Sequence, residues 1–240
     1  MFISTLSKHL PAVVDFFGTP PGDSLIEVVY LVESARYHLH NLDKLTTSDV
    51  NTPDGFQAGM DFGDDELNTH WKIMVAIVEL EAFLTSVKRV LDRSWCCIGD
   101  QFGPEVSKVR TLGGAIYNLE KEVRDKDLVN AVKTTSYFFI LQKAWEEWGN
   151  ELTNLRNYIE HQAPLGGRSF GYTEITPDGK VIKLFIPDTI PSSKKMVKKP
   201  NLKFETQRLA NKYCMDTITK VDDFVQELIT NATFLKHLNP

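Results

Sequence analysis

Apolar positions along the chain recur mostly at helical intervals, and the breaks between periodic stretches are marked by glycine, proline and short polar clusters. After Gly18-Thr-Pro-Pro-Gly22, Asp23 or Ser24 can cap a helix to about Leu39, with Ile26, Val29, Tyr30, Val32 and Ala35 on its apolar face. From about Asn41 to Glu66, Pro53-Asp54-Gly55, Gly59 and Gly63 break every period, so this stretch reads as a long loop. Asn68 to Trp95 is strongly helical. Its apolar residues, among them Trp71, Val75, Val78, Leu80, Phe83, Leu84, Val87, Val90 and Leu91, cover more than one face, as in a central helix packed on several neighbours. Gly103-Pro104 punctuates, and Glu105 to Val123 reads as a helix with a break at Gly113-Gly114.

The clearest period lies between Leu128 and Gln162, where Leu141, Trp145, Trp148, Leu152, Leu155 and Ile159 alternate at spacings of four and three and form a packing seam. Pro164 and Gly166-Gly167 stop this helix, so Arg156 to His161 is its last turn and a half. The residues around Pro177-Asp178-Gly179 then become strand-like, predicting a hairpin of Thr173-Glu-Ile and Val181 to Ile186. A last long helix follows from about Leu202 to Leu238, with Leu209, Ile218, Val221, Val225, Leu228, Ala232 and Leu235 on one side. The expected fold is all-α: a helical bundle with a small β-hairpin inserted before the last long helix. One domain is expected over residues 1–240, with the hairpin and a basic linker appended at about 164–203.

Composition narrows the function classes. At 42% hydrophobic and 25% charged residues, the 240-residue chain is ordinary globular protein. Its most apolar stretch, Ile73 to Leu84, is interrupted by Glu79 and Glu81, which argues against a membrane span, and Met1 to Phe17 lacks the pattern of an export signal. Three cysteines, Cys96, Cys97 and Cys214, make no disulfide framework or thiolate zinc motif and read as buried or incidental thiols. A cytoplasmic protein is the expectation. The net charge of −5 argues against a generic nucleic-acid coat. Between Pro164 and Lys203, however, eight Lys or Arg face three acids, a local net of +5, with Lys194, Lys195, Lys198 and Lys199 clustered. Such an insert can steer an anionic ligand; a solvated Lys-rich flap is the plainer reading.

With Leu155 and Ile159 turned inward, Asn157 and His161 lie about 200° around the axis, and Asn150 and Asn154 extend the same outward stripe. Neutral amides there suit contact with a substrate or a second copy better than a solvated face would. Arg156 stands at the stripe's margin. A guanidinium can fork phosphate oxygens and an imidazole can exchange protons near neutral pH, so the pair suits phosphate chemistry without a cofactor or metal. A purely structural use is also open. Arg156 and Glu160 have i,i+4 ion-pair spacing, and a His near a helix C-terminus is favoured by the macrodipole. Glu-x-x-His pairs, His-Glu-x-x-His and a phosphate-binding Gly-Lys loop are all absent from the sequence. Tyr37-His38-Leu-His40 reads as a polar helix end rather than a metal site, and Glu79 or Glu81 as a source of one polar group.

Leu155-Arg156-Asn157-Tyr158-Ile159-Glu160-His161 resembles the signature of the HEPN superfamily, in which an Arg and a His are separated by four to six residues and an Asn often follows the Arg. Trp145-Glu-Glu-Trp148 with Glu151-Leu152, and Glu81 to Asp92, are similar to helices of that superfamily, so the resemblance spans about residues 24 to 163. It implies a helical bundle that dimerises, bringing two motifs together, and a metal-independent endoribonuclease with a toxin or defence role. By this resemblance His161 handles protons, Arg156 stabilises charge on the phosphorane and Asn157 positions one of them or the phosphate. The alternative it allows is a catalytically inactive HEPN-like module that binds nucleotide, RNA or a protein partner. Single-stranded RNA and a second copy are the expected partners, with a protein antitoxin or regulator as a further class. Toxin members paired with a nucleotidyltransferase antitoxin often carry a Tyr two residues beyond the His, where Ala163 stands here.

Overall fold

The computed structural model describes residues 20–47, 65–162, 171–177, 179–188 and 203–232. These residues are mainly helical, with one small antiparallel sheet ahead of the last long helix. The all-α bundle with an inserted hairpin is therefore the observed class, but several boundaries move, each for an identifiable reason.

Helix α1, Pro20–Thr47, is longer than its predicted span at both ends. Pro20 and Pro21 fit a first turn, where a missing N–H breaks no helical bond. Beyond Leu39 the apolar period continues, with Leu42 and Leu45 buried. The hydroxyls of Thr46 and Thr47 return to the carbonyls of Leu42 and Asp43 at 2.8 and 2.7 Å. The loop reading of Asn41 to Glu66 is thus corrected over 41–47 and again at 65–66, which open the next helix, and residues 48–64 lie outside the described residues. Tyr30, assigned to the apolar face, is exposed, while Leu25, Val28 and Leu31 are buried with Val29, Val32 and Ala35.

Helix α2 runs Asp65–Phe102, past its predicted end at Trp95, because Cys97 and Ile98 continue its buried side. It stops at Gly103, whose φ of 91° favours glycine, followed by Pro104. The expected helix over 105–123 divides into α3, Pro104–Ser107, and α4, Leu112–Glu122, so its break falls before Thr111 and not at Gly113-Gly114. Thr111 caps α4 by accepting from the Gly114 N–H at 3.1 Å. A Cβ on Gly113 would lie 2.9 Å from Trp145 Cη2, so this glycine serves close packing within the helix.

The 128–162 stretch comprises α5 (Lys126–Lys133), α6 (Ser136–Ala144), a π-helical turn (Trp145–Gly149) and α7 (Asn150–Gln162). All six predicted seam residues are buried. Thr135 makes the break before α6, donating to Val132 O at 2.8 Å and accepting from Phe138 N at 3.0 Å. Strands β1 (Gly171–Thr176) and β2 (Gly179–Ile186) form the hairpin, with Thr176 opposite Gly179. Strand β3 (Arg208–Leu209), absent from the sequence reading, pairs antiparallel with Phe185 and Ile186. It takes the residues assigned to the start of the last helix. That helix, α8, is Ala210–Ala232, and residues 233–238 lie outside the described residues.

Packing groups the chain into two units. In the first, residues 1–35, 85–153 and 217–240, the core holds edge-to-face pairs of Trp95 with Phe138 and of Trp148 with Phe224, centroids 6.2 and 5.9 Å apart. In the second, residues 36–84 and 154–216, buried residues include Leu42, Leu80, Phe83, Leu155, Ile182, Leu184 and Cys214. The hairpin is built into this second unit: Lys180 Nζ donates to Thr69 Oγ1 at 3.3 Å, and four of the β2 side chains are buried hydrophobics. No described helix is long and apolar enough to cross a membrane.

Candidate functional site

Helix α7 keeps its register because Leu152, Leu155 and Ile159 are buried at 4-3-4 spacing with Trp148, and Tyr158 is buried beside them. That register fixes where the polar positions fall. Asn150 is exposed and packs with the first unit; Asn154, Arg156 and Asn157 are half-buried and pack with the second. His161 is in the final turn, and its side chain lies outside the described residues, as do Lys194, Lys195, Lys198 and Lys199. The amide stripe is therefore not one open face: only Asn150 among its described members is exposed.

Arg156 is held on its own helix. Its Nη1 pairs with Glu160 Oε2, its Nη2 donates to Glu160 Oε1 at 2.8 Å, and Nη1 also donates to Asn157 Oδ1 at 3.3 Å. The Arg156 side chain keeps 20% of its surface exposed and Glu160 34%. Arg156 Nε is buried with no hydrogen-bond partner among the described residues. Both nitrogens at the outer edge of the guanidinium thus face a carboxylate in the parallel geometry that also suits phosphate. Asn157 is brought into contact with Arg156, as the adjacency in sequence allows.

A second polar group lies in the same unit. Glu79 is buried; its Oε2 lies 2.7 Å from His38 Nδ1 and its Oε1 accepts from Asn41 Nδ2 at 3.3 Å. His38 keeps one quarter of its side chain exposed, and Tyr37 meets its ring edge-on. The carboxylate fixes the imidazole's orientation and leaves Nε2 as its other nitrogen. The sequence offered half of this cluster, a carboxylate in an apolar run. Nothing local signals that the helix before the loop returns with His38 and Asn41 to satisfy it.

The cysteines follow the sequence reading: Cys97 and Cys214 are buried and Cys96 is half-buried. Burial pushes the Cys97 thiol up to about 12 and the Cys214 thiol well above its ordinary value, so neither is a nucleophile near neutral pH. No group of three His, Cys, Asp or Glu among the described residues is placed to hold a metal ion. Between α6, the π turn and α8, a depression is floored by the buried rings of Trp148 and Phe224 and rimmed by charges of both signs, Lys143 and Lys220 against Glu147 and Asp223. Its mixed charge gives no single field for a polyanion. Compared with protein-family models, with curated proteins and with solved structures, the chain matches none.

Proposed function

We propose that the chain is a HEPN-type helical domain acting as a metal-independent endoribonuclease in the cytoplasm, with Arg156, Asn157 and His161 as its catalytic group and a second copy completing the site. The observation that supports this reading is the joined Arg156 and Asn157 on the last turns of α7, within one turn and a half of His161. In the proposed reaction an RNA 2′-hydroxyl attacks its own phosphodiester. The new P–O2′ bond forms as the P–O5′ bond breaks, giving a 2′,3′-cyclic phosphate and a 5′-hydroxyl. His161 takes the 2′ proton or returns one to the leaving oxygen, and Arg156 offsets the charge that builds on phosphorus-bound oxygens.

The test is incubation of the purified protein with single-stranded RNA in EDTA. Cleavage is expected to fall at least about 100-fold in His161→Ala and Arg156→Ala proteins, the usual scale for removing one such group. Equal cleavage by all three proteins would sink the assignment. A second reading, an inactive module of the same class that binds nucleotide, RNA or a protein partner, is favoured by the Arg156–Glu160 pair, which engages the guanidinium without any ligand. RNA bound but left intact by the unmodified protein selects that reading.

A further inference from the structure

We infer that Glu160 is a built-in competitor at the site: its carboxylate occupies the Arg156 edge that an RNA phosphate would take, so anion binding proceeds by displacing it. This rests on the reading of Arg156 as a phosphate-holding group. Of the guanidinium's three nitrogens, Nε faces the packed side and is buried, while Nη1 and Nη2 are both engaged by Glu160. An incoming anion therefore meets an occupied fork. Carboxylate and phosphodiester oxygens are interchangeable partners for that planar donor edge, so the exchange needs no rearrangement of Arg156 itself.

Helix electrostatics keep the competitor weak. Glu160 lies in the last turn of α7, where the macrodipole disfavours a negative charge. The order Arg first, acid four residues later is also the less favourable one for an i,i+4 pair. Both partners remain partly exposed, so the pair is screened and amounts to roughly two- to five-fold in an equilibrium constant. A single anion and RNA lose the same factor to such a competitor, but RNA, held also through its neighbouring phosphates, keeps useful affinity after the loss. Glu160 thus sets one common cost on any anion that takes the fork.

A labelled single-stranded RNA blocked by 2′-O-methyl groups separates binding from cleavage, and fluorescence anisotropy gives its affinity. Glu160→Gln is expected to tighten binding roughly two- to five-fold, Arg156→Ala to weaken it, and the double variant to bind like Arg156→Ala alone. The same Glu160→Gln change is expected to tighten binding of inorganic phosphate by the same roughly two- to five-fold. Unchanged or weaker RNA binding by Glu160→Gln, with Arg156→Ala weakened, overturns the competitor and leaves the proposed function standing. Equal tightening in the Arg156→Ala background also overturns it, because plain charge repulsion would then account for the gain. Should Arg156→Ala bind and cleave RNA like the unmodified protein, both readings fall together.

Discussion

Glu79 shows how much one side chain can depend on residues distant in sequence. Its two carboxylate oxygens are taken by His38 and Asn41, so the group is satisfied while buried among apolar neighbours. Glu79→Ala leaves the Asn41 amide and the His38 ring without their acceptor, and a loss of about 1–3 kcal/mol in unfolding free energy is expected by urea denaturation. Gly149 is a second sensitive residue. A Cβ there would lie 2.9 Å from Leu91 Cδ1 and 3.3 Å from the Ala144 carbonyl oxygen. Gly149→Ala should destabilise by about 1–3 kcal/mol, with part of the loss recovered in the Gly149→Ala, Leu91→Ala pair relative to the sum of the single changes.

At the level of elements, boundaries depend on single hydrogen-bonding side chains as much as on periodicity. Thr135 separates α5 from α6 through one donated and one accepted bond, both buried. Thr135→Ala should cost about 0.5–2 kcal/mol, measured by thermal or urea unfolding. Asp188, after β2, holds the segment that leads into β3: its N–H donates to Lys203 O at 2.9 Å, and its carboxylate accepts from the Thr206 hydroxyl and from the Glu205 and Thr206 N–H groups. The Thr206 hydroxyl bond, with the two backbone bonds, holds this carboxyl below its ordinary pKa. The stabilisation is therefore complete above the unfolded value, roughly pH 4, and is lost as pH falls through the lower folded value. Acid titration of stability should be shallower below about pH 4 in Asp188→Asn than in the unmodified protein; superimposable curves would remove Asp188 from that role.

Across the whole molecule, the thiols offer a direct measure of which regions are closed. Cys97 belongs to the first unit and Cys214 to the second, and both are buried, with the Cys96 thiol half-buried between charged neighbours. Iodoacetamide at neutral pH should label Cys96 first, and Cys97 and Cys214 only at the rate at which their units open. Peptide mapping of the labelled protein reads all three positions at once. Rapid labelling of Cys97 in the native protein would contradict its burial in the core of the first unit.

Features that depend on near neighbours are legible in the chain alone. The seam from Leu141 to Ile159 is visible because helical spacing repeats every three or four residues, and all its members are buried. The hairpin is visible because Pro177-Asp178-Gly179 carries its own turn chemistry, including the φ of 129° at Gly179. The i,i+4 spacing of Arg156 and Glu160 is local in the same sense. The remaining features rest on contacts between distant segments. Leu42 and Leu45 carry α1 onward only because packed neighbours receive them, and Arg208-Leu209 forms a strand only because β2 offers an edge. Glu79 finds its partners 41 and 38 residues away. A periodic pattern specifies which side of a helix is buried; which group fills or satisfies that side depends on chain segments brought together only by folding.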